Sequence, residues 1–125
     1  MTKLRILIVD DEPLARERVR AMLRADPSAE IIGECGNGVD AIATIREQRP
    51  DVVFLDMQMP GADGLQVVNE LPASERPAII FVTAHDRFAV DAFGVHATDY
   101  LLKPFDQERF KNALQRAAEH VRIRR

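Results

Sequence analysis

An α/β architecture is what this chain of 125 residues predicts: five strands alternating with five helices, the strands forming a parallel sheet with helices on both faces. Three observations carry that prediction. Short apolar runs alternate with segments whose apolar residues recur at helical spacing. The runs at 4–9, 51–55 and 78–83 have almost no polar face, as strands buried on both sides must. Charged residues stand directly after the apolar runs that end at Val9, Leu55 and Leu102 (Asp10-Asp11, Asp56 and Lys103), at what would be the carboxyl ends of strands.

The first strand covers 4–9, interrupted only by Arg5. Glu12-Pro13 starts a helix, because proline suits the first turn. Ala15, Val19 and Met22 share one face of it, and Asp26-Pro27 closes it. Ile31-Ile32 is a short strand ending near Cys35, and Gly36-Asn37-Gly38 is a turn signal. Ala41, Ile42 and Ile45 mark a second helix, ended by Pro50. The third strand is 51–55. Pro60-Gly61 and Gly64 punctuate a loop before the helical Leu65, Val67, Val68 and Leu71, and Pro72 and Pro77 bracket the next loop. Residues 78–83 form the fourth strand. A helix is expected at about 86–96, a strand at about 98–102, and a last helix from near Asp106 with Phe110, Leu114, Ala117 and Val121 on one stripe.

The composition is that of an ordinary soluble globular domain, with 46% hydrophobic and 30% charged residues. The net charge of −3 argues neither for nor against nucleic acid. One cysteine, Cys35, excludes an internal disulfide and fits a reducing compartment. No segment approaches a transmembrane span or a signal peptide core, so a cytoplasmic location and no membrane partner are expected.

In open parallel sheets, ligands bind outside the carboxyl ends of the strands, at the switch in strand order. That rule gathers Asp10, Asp11, Asp56 and Lys103 into one pocket of formal charge −2. Adjacent acids such as Asp10-Asp11 are, taken alone, commonly just solvated. Here Asp56 closes a third strand in the same manner, and clustered carboxylates raise one another's pKa unless a positive charge intervenes. Lys103 supplies one. Mg²⁺ would supply the rest, because it favours a few carboxylates, waters and a phosphate oxygen. Zinc is disfavoured, since no His or Cys stands at ligand spacing. Asp56 is the candidate nucleophile for an aspartyl phosphate. Lys103 and the Thr83 hydroxyl would meet the phosphoryl oxygens; a strand-end hydroxyl can also cap the next helix, but Thr83 closes the strand expected between those ending at Asp56 and Lys103. A cis Lys103–Pro104 bond would aim the lysine inward, but most such bonds are trans.

Asp10-Asp11, Asp56, Thr83, Lys103-Pro104 and the loop Met59-Pro60-Gly61-Ala62-Asp63-Gly64 together resemble the receiver domain of two-component response regulators, over residues 4 to about 120. The resemblance implies a flavodoxin-like doubly wound sheet of order 2-1-3-4-5. It implies phosphoryl transfer from a sensor histidine kinase to Asp56, catalysed by the receiver itself rather than by a separate enzymatic activity, with slow autodephosphorylation. It implies Mg²⁺, with Mn²⁺ as a substitute, on Asp11, Asp56 and the backbone carbonyl of Gln58, with Asp10 helping through water. Thr83 and Lys103 would contact the phosphoryl group, Tyr100 would be the aromatic switch residue, and the Lys103–Pro104 bond would be cis.

The stretch from Thr83 to Val90, Asp91-Ala92-Phe93, Tyr100-Leu101-Leu102-Lys103-Pro104-Phe105, and Asp11-Glu12-Pro13-Leu14-Ala15-Arg16 are similar to receivers that precede LytTR-type DNA-binding domains. Residues 1–121 are then the receiver, and 122–125 the start of a linker to an output domain absent from this chain, through which alone DNA would be bound. A phosphorylation-strengthened homodimer is expected through the stripe Phe88, Ala92 and Val95. Gln58 and His85 could tune dephosphorylation, and Cys35 reads as a small packed hydrophobe.

Other functions fit less well. A haloacid-dehalogenase-like hydrolase needs a second Asp two residues after the nucleophile, where this chain has Gln58. A nucleotide-binding domain needs a glycine-rich loop after the first strand, where this chain has Asp10-Asp11-Glu12-Pro13. A stand-alone regulator with a protein target, or a dimerisation module independent of phosphorylation, remain as alternatives.

Overall fold

The computed structural model describes residues 3–84, 94 and 97–124. In chain order the elements are β1 (Leu4–Val9), α1 (Pro13–Leu23), β2 (Ala29–Cys35), α2 (Gly38–Gln48), β3 (Val52–Asp56), α3 (Gly64–Asn69), a 3₁₀ turn (Ala73–Glu75), β4 (Ala78–Thr83), β5 (Asp99–Leu102) and α4 (Gln107–Arg124). The sheet is five-stranded with order β2-β1-β3-β4-β5 and every pairing is parallel. The order reverses at β1, between β2 and β3, which is where this class of sheet opens a crevice.

Alternation along each strand sends neighbouring residues to opposite faces. Ile6, Ile8, Val52, Phe54, Ile80 and Val82 pack with α1 and α4 through Val19, Leu23, Phe110, Leu114 and Ala117. Leu7, Val9, Val53, Leu55, Ile79 and Phe81 pack with α2 and α3 through Ala41, Ile45, Val67 and Val68. Two cores therefore share one sheet, which is the reason that β1, β3 and β4 read as nearly unbroken apolar runs, Arg5 being the exception in β1.

The helices begin where local chemistry dictates. Pro13 opens α1. The Asn37 side chain accepts the Asp40 N–H at the start of α2. Asp63 and Gln66 form a reciprocal capping box at the start of α3. Arg49, with φ of 51°, ends α2 in the left-handed conformation.

The expected helix at 86–96, including Phe88, Ala92 and Val95, lies outside the described residues apart from Gly94, as does His85. Four α-helices are present among the described residues. β2 is longer than the Ile31-Ile32 core expected of it, and α4 continues through Arg124.

Candidate functional site

β1 and β3 are adjacent and in register, Val9 opposite Leu55, so the residues that follow them emerge side by side. Asp10, Asp11 and Asp56 each present a carboxylate oxygen, and these oxygens lie within 4.8 Å of one another. Asp10 and Asp56 are each 5% exposed, whereas Asp11 is exposed. Thr83 ends β4 and is buried.

Lys103 follows β5, and its Nζ lies 3.2 Å from Asp10 Oδ2. Its backbone N–H donates to the Thr83 carbonyl at 2.6 Å, tying the ends of β4 and β5 together. The Lys103–Pro104 bond is cis. Tyr100 lies two residues before Leu102, is half-buried, and packs against the α2–α3 side of the sheet.

Backbone donors complete the pocket. The Glu12 N–H donates to Asp10 Oδ1 at 3.0 Å, and the Gln58 N–H to Asp56 Oδ1 at 3.2 Å. Each aims a carboxylate without neutralising it. Burial, with the Asp10 charge next in importance, pushes the Asp56 carboxyl up to about 7; the Lys103 ammonium and the Gln58 N–H act in the opposite direction, and Asp11 adds to the rise. One ammonium therefore does not balance three acids. A hard divalent cation fits this donor set, which is all oxygen and part exposed. Among the described residues, Asp10, Asp11 and Asp56 are the carboxylates grouped closely enough to hold it.

The loop after β3 can approach this closely because of one glycine. A Cβ on Gly64 would lie 2.6 Å from the Asp56 carbonyl oxygen and 3.0 Å from Met57 Cα. Without a side chain there, the Gly64 N–H donates to the Met57 carbonyl at 3.1 Å, and the loop folds back against the end of β3. Met57 and Met59 are buried as packing residues.

Two features near the pocket escape a reading of the sequence. Arg16 on α1 donates from Nη1 to the Asp10 carbonyl at 2.7 Å, and its Nε lies 3.4 Å from Glu34 Oε1, bracing the β1–α1 turn. Asp99, buried at the start of β5, pairs with Arg109 and Arg116 of α4. The second was open to detection: an acid among Tyr100, Leu101 and Leu102 in a short strand needs a cationic partner. Nothing in the one-dimensional pattern points to Arg16 over its neighbours Arg18 and Arg20.

The family of the response regulator receiver domain matches residues 6–115. The transcriptional regulatory protein BtsR of Escherichia coli (strain K12) is 50% identical over 113 residues, covering 90% of this chain and 47% of BtsR. The sensory transduction protein LytT of Bacillus cereus is 44% identical over 114 residues, covering 90% of this chain and 46% of LytT. The chain thus spans about half the length of these relatives. Among solved structures, the response regulatory domain of MrkE from Klebsiella pneumoniae superposes with a TM-score of 0.85 at 30% identity, covering 95% of this chain and 98% of that one. The receiver domain of NarL from Mycobacterium tuberculosis gives 0.85 at 34% identity, covering 94% and 98%. With the fold, its strand order and the matched family in agreement, the chain belongs to the response regulator receiver domains.

Proposed function

We propose that the chain is a phosphoaspartate switch in which Asp56 accepts a phosphoryl group from a sensor histidine kinase. The observation that carries this reading is the crowding of Asp56 with Asp10 and Asp11, each offering an oxygen within 4.8 Å of the others, while Lys103 approaches from β5. Asp56 at the end of β3 is the attacking carboxylate. Its oxygen attacks phosphorus, the donor's bond to phosphorus breaks, and the leaving group departs with that electron pair. Asp10, Asp11, Asp56 and the Gln58 carbonyl would hold Mg²⁺, which when bound supplies the positive charge that a dianionic phosphoryl group needs in an acidic pocket. The Lys103 ammonium and the Thr83 hydroxyl take phosphoryl oxygens, and Lys103 then exchanges Asp10 for the product. Movement of Thr83 toward the phosphoryl group is relayed to Tyr100. Gln58 and His85 tune the slow loss of phosphate to water.

The output of this switch belongs to the part of a longer protein that the relatives possess. BtsR is named a transcriptional regulatory protein, which supports a DNA-binding output domain, and the likeness to LytT favours the LytTR type; a linker starting near Arg122 and a cytoplasmic location belong to the same reading. Phosphorylation-strengthened dimerisation through Phe88, Ala92 and Val95, which share a stripe at helical spacing in the sequence, belongs to the same reading.

Incubation with acetyl phosphate and Mg²⁺, followed by intact mass, tests the core of it. One phosphoryl adduct is expected on the wild type and none on Asp56→Asn. An unmodified wild type would revive the readings as a nucleotide-binding domain or as a dimerisation module independent of phosphorylation, and an adduct on the variant would assign the phosphoryl group to a residue other than Asp56.

A further inference from the structure

Asp99 opens β5 and is 6% exposed. A carboxylate so placed is costly unless it is paired and hydrogen-bonded. Arg109 meets it with two nitrogens: Nη2 lies 2.8 Å from Oδ1, and Nη1 lies 3.1 Å from Oδ2. The same Nη2 donates to the Tyr100 carbonyl at 2.8 Å. Asp99 Oδ1 accepts the Tyr100 N–H, also at 2.8 Å. Both backbone polar groups of Tyr100 are therefore held by one ion pair.

The location gives this pair its significance. β5 is the last strand in the sheet order and has β4 as its single strand neighbour. Among the described residues no further strand supplies a ladder along its outer edge, and the Asp99–Arg109 pair takes that place. Arg109 is itself fixed, because its N–H donates to Asp106 Oδ1 at 2.8 Å in the first turn of α4. Its neighbour Phe110 is buried against Phe54 of β3, with ring centroids 5.1 Å apart. β5 is four residues long, so its position at Tyr100 decides where Lys103 emerges.

We propose that Arg109 is a positioning residue for the phosphoryl site: by clamping the Tyr100 backbone to α4, it holds β5 where Lys103 reaches Asp10. The inference rests on the reading of Asp56 as phosphoacceptor. Arg116 provides an internal comparison, because it meets the same carboxylate from further along α4, its Nη1 3.2 Å from Asp99 Oδ2.

The test is a titration of Mg²⁺ with beryllofluoride, a phosphoryl mimic. Binding is read by calorimetry, and the surroundings of Tyr100 by fluorescence, since the chain has one tyrosine and no tryptophan. Arg109→Ala should weaken the binding midpoint by roughly tenfold, the order expected when a reacting group is displaced by a fraction of an ångström. It should also change the tyrosine emission. Arg109→Lys, which keeps the charge but cannot span the carboxylate and the carbonyl together, should fall between Arg109→Ala and wild type. Arg116→Ala should bind as wild type does. If Arg109→Ala keeps the wild-type midpoint and merely melts earlier, Arg109 is structural and the proposal fails. Equal weakening in Arg116→Ala also overturns it, assigning the effect to the charge beside Asp99. Should Arg109→Ala not fold, a wild-type midpoint in Arg109→Lys decides against the proposal. Asp56→Asn is the separate control: binding there as in wild type would sink the phosphoacceptor reading instead.

Discussion

Asp56 is subject to two opposed demands. As the proposed phosphoacceptor it would have to be ionised, yet burial and, next, the Asp10 charge push its carboxyl up to about 7 in the metal-free protein. In the folded state it therefore retains a proton that the unfolded chain has already released at mildly acidic pH. The stability associated with that proton is complete below the ordinary Asp range and is lost as pH rises through 7. By about pH 8 the loss amounts to at most about 4 kcal/mol, from some three units at 1.36 kcal/mol each. Asp56→Asn abolishes this titration. In EDTA, the variant should melt higher than wild type at about pH 8, and the gap should narrow toward about pH 5.5. A gap that stays constant across that range would show that the carboxylates are not crowded. At the same scale, Asp10, Asp11, Asp56 and Lys103 were legible in sequence because they interrupt apolar runs. Arg16 was not, because its role depends on reaching back across a turn to the Asp10 carbonyl, one of several arginines on α1 that could have done so.

Among the elements, α4 packs against β5 and also against β3 and β4. Phe110 stacks on Phe54 with rings 6° from parallel, and on Phe105 with centroids 6.1 Å apart. Phe110→Ala would leave a cavity between α4 and β3 and should cost about 3–5 kcal/mol in urea-induced unfolding. A loss below about 1 kcal/mol would mean that α4 collapses into the space, or that it contributes little to the fold. Elements buried on both sides were the easiest to infer, because β1, β3 and β4 have no polar face to blur the signal. β2 was harder. It is an edge strand whose residues are mostly half-buried, and Glu30, Gly33 and Glu34 dilute its apolar pattern, so only Ile31-Ile32 stood out. The 3₁₀ turn between Pro72 and Pro77 left no periodic trace, being a single turn.

For the molecule as a whole, metal is expected to act as a stability switch. A cation that binds the folded pocket and not the unfolded chain raises stability by mass action, about 2.7 kcal/mol at a hundredfold excess over its dissociation constant. Mg²⁺ should therefore raise the melting temperature of wild type and flatten the pH dependence just described. Asp56→Asn, lacking one ligand and one charge, should gain much less. Its advantage in EDTA should shrink or reverse in Mg²⁺. Equal gains in both proteins would place the ion away from Asp56. The strand order was accessible only by resemblance, because alternation of strands and helices specifies a wound sheet without saying which strands adjoin. The pocket was legible without the full order, from the rule that ligands gather at the carboxyl ends of parallel strands, and the order then sets the ends of β1 and β3 side by side.

The sharing of one sheet by two cores makes strand length a ruler. Val52 and Phe54 face one core, Val53 and Leu55 the other, and Asp56 is the next residue in that count. Deleting a single residue within β3 would exchange the two sets of side chains and withdraw the acid from the edge by about 3.3 Å. No compensating change elsewhere could repair both cores and the pocket together. The distance from Pro50 to Asp56 is consequently the dimension of this molecule least free to drift, while the loops at the opposite end of the sheet can vary in length without disturbing the acids.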